Sequence, residues 1–538
     1  MLNKVHIVAR VLRTLRFLKF KQIQYQIIYR LSKAKDLSAY NGKYDESRIT
    51  LLDFSVQPPV YKTVLDADRN HFVFLNLEKK FDKSIEWGFD EFGKLWNYNL
   101  QYCHFVFQED ISKSKKESWL SDLYFLLDDG QLELESYPAS LRSINVIRLI
   151  NREPSIFNDN LLRYLHAELD FLSNRLEYHL LANHLLENLF ALLMGGAFFG
   201  EIKWINKATR LLKAQLEEQI LPDGGHFELS PMYHQIILFR LLELIDWYKE
   251  WPDGDEVFEY YLRDKAERMV SWLKQISFVN GEIPYFNDST SGISFSTDWL
   301  LDYSAKLGII LRADFQLRES GYRVYNTVNY ECRVDVGQIG ASYQPGHAHA
   351  DTLSFVLNVA GRPFLIDPGI STYIKGRQRL LERSTHMHNT VVVDGINSSE
   401  VYGAFRVGRR AIACDVEEYL TPGIAHLSAY HNGYLFKGIK HKRAWEFSEN
   451  LILIHDIVES SKESEARVNL IFSHEIGTRI LKINDVLYFD NLKIEFSENL
   501  GIALIEIDCP IGYNLFEKAI KAEVIFKKEL LTKIELKR

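Results

Sequence analysis

Cysteine is scarce in this sequence: four among 538 residues, Cys103, Cys332, Cys414 and Cys509, with no C-x-x-C pair. That argues against a disulfide framework or a thiolate zinc site and suits a reducing compartment. Glycine (29) and proline (13) are also few, and 46% of residues are hydrophobic, which excludes a collagen-like, low-complexity or disordered chain. Long apolar runs are missing, and the longest, Leu189 to Gly200, is too short to cross a bilayer. The N-terminus shows no uninterrupted apolar stretch with a small-residue cleavage site, so no export signal is read and a cytoplasmic location is expected. Positive charge does not dominate: 64 Lys and Arg against 72 Asp and Glu give a net charge of −8, and no nucleic-acid partner is expected. Nor is there a G-x-S-x-G elbow, a G-x-x-x-x-G-K-[ST] loop, a G-x-G-x-x-G or an H-E-x-x-H. Serine-hydrolase and nucleotide-dependent chemistry lack local support, and no organic cofactor is expected.

What is present is size and aromatic content. A chain of 538 residues exceeds one hydrophobic core, and its 13% aromatics either fill such cores or stack on sugar rings. From about residue 90 to 310 the apolar spacing is helical, as in Ile205 to Leu221, His234 to Lys249, Leu161 to Arg175 and Leu180 to Phe199, with a break at Pro222-Asp223-Gly224-Gly225. Past about 320 short Val-, Ile- and Phe-rich segments take over, among them Thr390 to Asp394, Leu451 to Val458 and Ile502 to Ile507. Asp394-Gly395 and Asn432-Gly433 read as tight turns. The expected fold is α+β and multidomain: a helical bundle, barrel or toroid over 51–318, then a large antiparallel β domain layered as a sandwich over 319–538. Residues 1–50 form a separate basic segment, with nine Lys or Arg by Lys35 and no acid before Asp36. Its apolar residues, Val5, Ile7, Val8, Val11, Leu12, Leu15, Phe17 and Leu18, recur at helical spacing. Such a helix either docks on its own protein or, through residues 4–35, touches a membrane surface peripherally.

Three clusters carry chemistry. In Gly346-His347-Ala348-His349-Ala350-Asp351 the two imidazoles and the carboxylate share one face if the segment is a strand. With Asp367 and with His386 and His388 downstream, they suit either a divalent metal of the zinc class or hydrogen-bonded structural roles. Asn183, His184 and Glu187 begin a helix, and the last two share a face. In Gly224-Gly225-His226-Phe227-Glu228-Leu229-Ser230-Pro231-Met232-Tyr233 a polar turn delivers Tyr233 at a helix start.

Taken in order, WNYNLQY, SYPASLR, ANHLLENL, DGGHFELSPMYH, PYFNDS, GHAHADTLSF, FLIDPG and THMHNTVVVDG, spread from Trp96 to Gly395, resemble the heparinase II/III-like polysaccharide lyases. The resemblance implies an incomplete (α/α) toroid followed by a layered β-sandwich, with an acidic polysaccharide or oligosaccharide in the cleft between them. It implies β-elimination, in which the proton on C5 of a uronic acid is removed and the glycosidic oxygen on C4 leaves. By resemblance Asn183 and His184 hold the substrate carboxylate, Tyr233 is general base or acid, and His347 is its partner. Tyr98, Arg142, Glu187 and Asn287 are the expected substrate contacts, with Arg142 or a histidine lowering the Tyr233 pKa or relaying its proton. The resemblance further implies a structural Zn²⁺ on His349, Asp367 and His388, which requires His347 and His349 to face opposite ways. Secreted members begin with an export signal. A member without one fits imported oligosaccharides or a surface-polysaccharide or capsule pathway at the inner membrane surface. Two other functions stay open: a hydrolase or transferase using carboxylates such as Glu187, Glu228 and Asp288, and a non-catalytic glycan-binding protein.

Overall fold

The computed structural model describes residues 2–156, 158–313 and 315–536, with side chains from residue 9 onward. The N-terminal helix read from the sequence is two, α1 (Leu2–Leu15) and α2 (Phe20–Leu31). Val5, Ile7 and Val8 of that reading lie outside the described side chains. Both helices dock on the rest of the protein. From α1, Arg10 and Arg13 pair with Glu400, and Thr14 and Tyr402 share a hydrogen bond of 2.6 Å. From α2, Gln22 donates to the Leu180 carbonyl and Tyr29 to that of Leu176. The docking reading therefore holds for one face of the segment.

Helices fill the chain from residue 94 to 306: α3 (Lys94–Gln101), α4 (Lys113–Asp128), α5 (Ser136–Arg152), α6 (Asp159–Asn174), α7 (Ala182–Phe199), α8 (Ile202–Gln219), α9 (Pro231–Tyr248), α10 (Glu256–Ile276) and α11 (Thr297–Lys306). Their starts are chemically marked. Asn158, Ser230 and Asp255 each accept a backbone N–H of the following turn, and Pro231 occupies the first helical position of α9, where a missing N–H costs nothing. The expected break between α8 and α9 is fixed by Gly224, whose φ is +76° and whose absent Cβ would lie 2.2 Å from the Arg268 carbonyl oxygen. α7 and α9 are apolar nearly all round and buried along almost their whole length, so they lie innermost. One element escapes sequence reading, a small antiparallel sheet of β1 (Val64–Asp66), β2 (His71–Phe74) and β3 (Leu77–Lys80).

From Tyr322 the chain is β. The strands are β4 (Tyr322–Asn326), β5 (Tyr330–Asp335), β6 (Phe355–Val359), β7 (Arg362–Leu365), β8 (Val391–Val393), β9 (Val401–Tyr402), β10 (Arg406–Val407) and β11 (Ala413–Thr421). They continue as β12 (Ile424–His431), β13 (Ile439–Phe447), β14 (Leu451–Ser460), β15 (Ala466–Phe472), β16 (Leu481–Ile483), β17 (Val486–Phe489), β18 (Leu492–Ser497), β19 (Gly501–Gly512), β20 (Leu515–Phe526) and β21 (Glu529–Leu536). One antiparallel sheet runs β11-β12-β13-β14-β21-β18-β17-β16. The other runs β19-β20-β15-β7-β6-β5-β4, with β8 paired to β15. Among the described residues only the short helices α12 (Arg377–Glu382) and α13 (His474–Gly477) and brief 3₁₀ turns interrupt the strands. Val334, Leu357 and Leu470 of one sheet share a buried core with Leu427, Trp445 and Ile454 of the other. The helices have their own core, which reaches Tyr322, so two apolar cores meet near the first strand. Asp394-Gly395 is a tight turn with φ of +50° and +66°, whereas Asn432-Gly433 leads into a 3₁₀ turn rather than a hairpin.

Candidate active site

The helical side of the site is built from helix starts. Leu181 and Ala182, with φ of +62° and +53°, deliver Asn183 at the beginning of α7, and Leu229, with φ of +57°, does the same between Glu228 and the Ser230 cap of α9. Side chains rarely adopt this region, and such strain gathers where position is over-determined by surrounding bonds. Those bonds are visible. Asn183 donates its backbone N–H and its amide to Glu228, at 3.0–3.1 Å, and both residues are buried. Beside it, His184 Nδ1 lies 3.1 Å from Glu177 Oε1, and its ring packs 4.4 Å from that of Tyr137. Burial draws the His184 pKa down, but the Glu177 charge and hydrogen bond outweigh it, so His184 titrates above the usual histidine range. Tyr98, Tyr102 and Tyr137 form a half-buried aromatic cluster next to it.

Tyr233, one turn into α9, faces the sheet side. Its ring stacks on His347 with centroids 3.9 Å apart, and its hydroxyl is 3.1 Å from that of Tyr373. Burial pushes the Tyr233 pKa well above the usual phenol value, so the resting side chain is protonated. His347 is clamped from behind: Nδ1 is 2.8 Å from Asp288 Oδ2, while Nε2 points at Asn183 and Glu228, 3.5 Å from each. With Nδ1 donating to Asp288, Nε2 keeps a free lone pair.

The strand expected over His347–Asp351 is a loop; β6 begins only at Phe355. This removes the constraint of alternating faces. His347 turns toward Asn183 and Tyr233 and His349 to the interior, and the two grip opposite oxygens of one carboxylate, with His349 Nε2 2.8 Å from Asp288 Oδ1. Arg379 of α12 closes the cluster with two bonds to Asp288 of 2.5 and 2.6 Å. Burial alone would raise the Asp288 pKa. The Arg379 charge and the bonds from His347, His349 and Arg379 hold it well below the usual carboxylate range.

Deeper still, His388 Nδ1 is 2.8 Å from Asp367 Oδ2, and the His349 and His388 rings lie 5.2 Å apart. The turn carrying Asp367 presses so closely on Ser289 that a Cβ on Gly369 would sit 2.0 Å from its carbonyl oxygen. Three polar atoms in this cluster, His349 Nδ1, His388 Nε2 and Asp351 Oδ2, are buried without a hydrogen-bond partner. Among the described residues no three His, Cys, Asp or Glu side chains already stand in metal-holding geometry.

Several expected substrate contacts lie elsewhere. Arg142 is fully buried, its guanidinium held by Glu168 and donating to the Gln101 carbonyl, so it cannot relay a proton to Tyr233 or meet a ligand. Glu187 is buried and paired with Arg240 at 3.0 Å. Asn287 is buried too: its amide donates to the Leu229 carbonyl and its oxygen accepts the His349 N–H, so it positions the histidine loop. Tyr98 is half-buried, and its hydroxyl donates to Glu135. The carboxylates considered for hydrolysis are likewise occupied, Asp288 by three cationic or imidazole partners and Glu228 by Asn183. Glu228 and Asp288 were legible as acids but not as supports for Asn183 and His347. Tyr373, Arg379 and Glu177 carried no sequence signal, since each acts through a partner distant in the chain or outside the motifs.

Two family patterns match the chain: "Heparinase II/III N-terminus" over residues 142–303 and "Heparinase II/III-like, C-terminal" over 310–501. A heparin-sulfate lyase of Pedobacter heparinus is 26% identical over 264 residues, 44% of this chain and 39% of that protein. One of Bacteroides stercoris is 24% identical over 325 residues, 53% of this chain and 45% of that protein. The matches thus span less than half the length of these curated relatives. The crystal structure of heparinase III is similar in fold, with a TM-score of 0.67 at 16% identity, covering 90% of this chain and 87% of that one. With both halves of the pattern matched in order, the chain belongs to the heparinase II/III-like superfamily.

Proposed function

We propose that the protein is a polysaccharide lyase that cleaves uronic-acid-containing glycans by β-elimination. One observation carries this reading: Asn183, Tyr233 and His347 converge from the helical and sheet regions onto one spot, each with its own support. The chemistry requires a base at C5, an acid at the C4 oxygen and donors toward the uronate carboxylate. His347 Nε2, with Nδ1 fixed on Asp288, is placed to take the C5 proton. The C5–H electron pair becomes the C4–C5 double bond as the C4–O bond breaks, and the protonated Tyr233 hydroxyl supplies the proton to the leaving oxygen. Asn183 and a protonated His184 offset the charge on the carboxylate. The Tyr373 hydroxyl, 3.1 Å from that of Tyr233 and 3.4 Å from His347 Nδ1, helps to orient both side chains, and after product leaves His347 Nε2 gives its proton to solvent while Tyr233 takes one back from it. The aromatic cluster of Tyr98, Tyr102 and Tyr137 offers faces for neighbouring sugar rings. In this reading the helices form the incomplete toroid and the two sheets the sandwich that hold the cleft, and the substrate is a surface or capsular glycan.

The same reading assigns a structural Zn²⁺ to His349, Asp367 and His388. The unpartnered His349 Nδ1 and His388 Nε2 are two nitrogens that such an ion could take, Asp288 on His349 Nε2 would orient one of them from outside, and Asp367, which here bonds His388 Nδ1, would have to turn to join them. The ion would hold the loop behind His347. Elemental analysis of purified protein is expected to find about one zinc per chain, lost in His388→Ala.

The test of the lyase reading is ultraviolet absorbance during incubation with a panel of acidic polysaccharides and oligosaccharides. Elimination leaves a double bond conjugated with the carboxylate, which absorbs where the intact polymer does not. Wild-type protein is expected to produce that chromophore, and Tyr233→Phe to lose at least about a hundredfold of the rate with its fold unchanged. Chain shortening without the chromophore would transfer the assignment to hydrolysis.

A further inference from the structure

The docking contacts cover one face of α2 and leave the other bare. On a helix of 3.6 residues per turn, Gln22, Tyr25 and Tyr29 fall together, and these hold Leu180, Tyr178 and Leu176. On the opposite side Phe20, Ile27 and Leu31 stand 79%, 55% and 83% exposed, with Ile23 and Ile28 at the margins of the same stripe. From α1, Leu12 is also exposed, at 61%. Single exposed apolar residues are ordinary, but a stripe along the whole of one helix marks an interaction surface.

Charge selects the occupant. Arg16, Arg30, Lys33 and Lys35 are all exposed, and none has an acidic partner among the described residues. No acid occurs before Asp36. An apolar stripe that Gln24 alone interrupts, and whose charged neighbours in this segment are all cations, is complementary to a surface with hydrocarbon below and anions above. No helix of the described residues is long and apolar enough to cross a membrane, and the polar face of α2 is already committed to protein.

We propose that α1 and α2 form an interfacial anchor that lies on an anionic lipid bilayer, with Phe20, Ile27 and Leu31 in the headgroup–acyl boundary and Arg16, Arg30, Lys33 and Lys35 at the phosphates. The anchor is tied to both regions that build the site. α2 holds the Leu176–Leu180 segment leading to Asn183. α1 holds the β9–β10 hairpin over Glu400–Val407, whose Phe405 packs against His347 and Tyr373. Bilayer contact would therefore fix how the cleft is presented to glycan at the membrane. The anchor does not depend on the lyase reading, because its test reads binding rather than catalysis.

The experiment is co-sedimentation of the full chain with vesicles of phosphatidylglycerol and phosphatidylethanolamine, against vesicles of phosphatidylcholine alone. The wild-type protein is expected to pellet with the anionic vesicles and to stay largely in solution with the zwitterionic ones. The triple variant Phe20→Ser, Ile27→Ser, Leu31→Ser should lower the bound fraction about tenfold without changing the thermal melt, since all three side chains are exposed. Arg30→Gln with Lys33→Gln and Lys35→Gln should remove the preference for anionic lipid. Leu420→Ser, at an equally exposed site on the edge strand β11, should bind as wild type does. Wild-type protein left in the supernatant, or a triple variant that binds equally well, would overturn the proposal. So would a dimer in light scattering that the triple variant dissolves, which would assign the face to a second copy of the chain.

Discussion

The two sides of the candidate site are built by different physics. On the helical side, Asn183, His184 and Tyr233 stand in the first turns of long, buried helices, and backbone conformation with one supporting group each, Glu228, Glu177 and the Ser230 cap, does most of the positioning. On the sheet side, His347 stands on a loop, and what fixes it is a buried cluster of charges around Asp288. A helix start is rigid by virtue of its own ladder, so a functional residue there needs only local support. A loop has no such ladder, and its residue is only as fixed as the ion cluster beneath it.

That contrast can be broken first at Arg379. Removing one partner of a buried ion pair leaves the other charged and desolvated, which costs roughly 3–5 kcal/mol. Arg379→Ala is therefore expected to destabilise the sheet region by about that amount and to abolish activity, because an Asp288 that has lost its cation takes up a proton and no longer fixes the His347 tautomer. Calorimetry of the variant checks it. A melt unchanged from wild type would show that Asp288 is satisfied without Arg379 and that the loop is held otherwise.

Glu228→Gln sharpens the helical side. The carboxylate accepts three hydrogen bonds from Asn183, and an amide in its place meets the Asn183 NH₂ with an NH₂ of its own. The Asn183 side chain is expected to turn over and present its oxygen to the substrate carboxylate. Loss of one donor at a developing negative charge is worth roughly a hundredfold in kcat/KM, with little change in stability because the helix start persists. An equal loss in both quantities would mean that Glu228 holds up the fold rather than orienting Asn183.

The same contrast explains what the sequence made legible. Asn183-His184 and the Ser230-Pro231…Tyr233 start could be read because all their local causes, cap, proline and turn, lie within a few residues. The change from helical to strand periodicity near residue 320 was legible for the same reason, as the period is a local property. The burial of Arg142 was not legible, because a motif gives a residue's neighbours in the chain but not what covers it. Its partner Glu168 lies 26 positions away in another helix. His347 and His349 looked irreconcilable on one strand; the loop that separates them is imposed by Asp288 and Asn287, some 60 residues earlier. Charge clusters assembled from distant segments leave no periodic trace, and the sheet side is made of them.

The smallest expected effect tests how much charge matters on the helical side. There His184 is paired with Glu177, and the pair raises the His184 pKa above its unfolded value near 6.5. A histidine shifted upward contributes stability that is fully present below the unfolded pKa and is lost as pH rises through the folded one. Glu177→Gln keeps the shape and still accepts the Asn188 amide, so it removes mainly the charge. Thermal melts of variant and wild type should therefore differ most at about pH 6, by about 1 kcal/mol, since His184 is 29% exposed and solvent screens the pair. At about pH 9, with His184 neutral, the two curves should draw together. A gap that instead widens with pH would mean that His184 is neutral throughout. It would then offer the substrate carboxylate a hydrogen bond without a charge, leaving Asn183 as the principal donor.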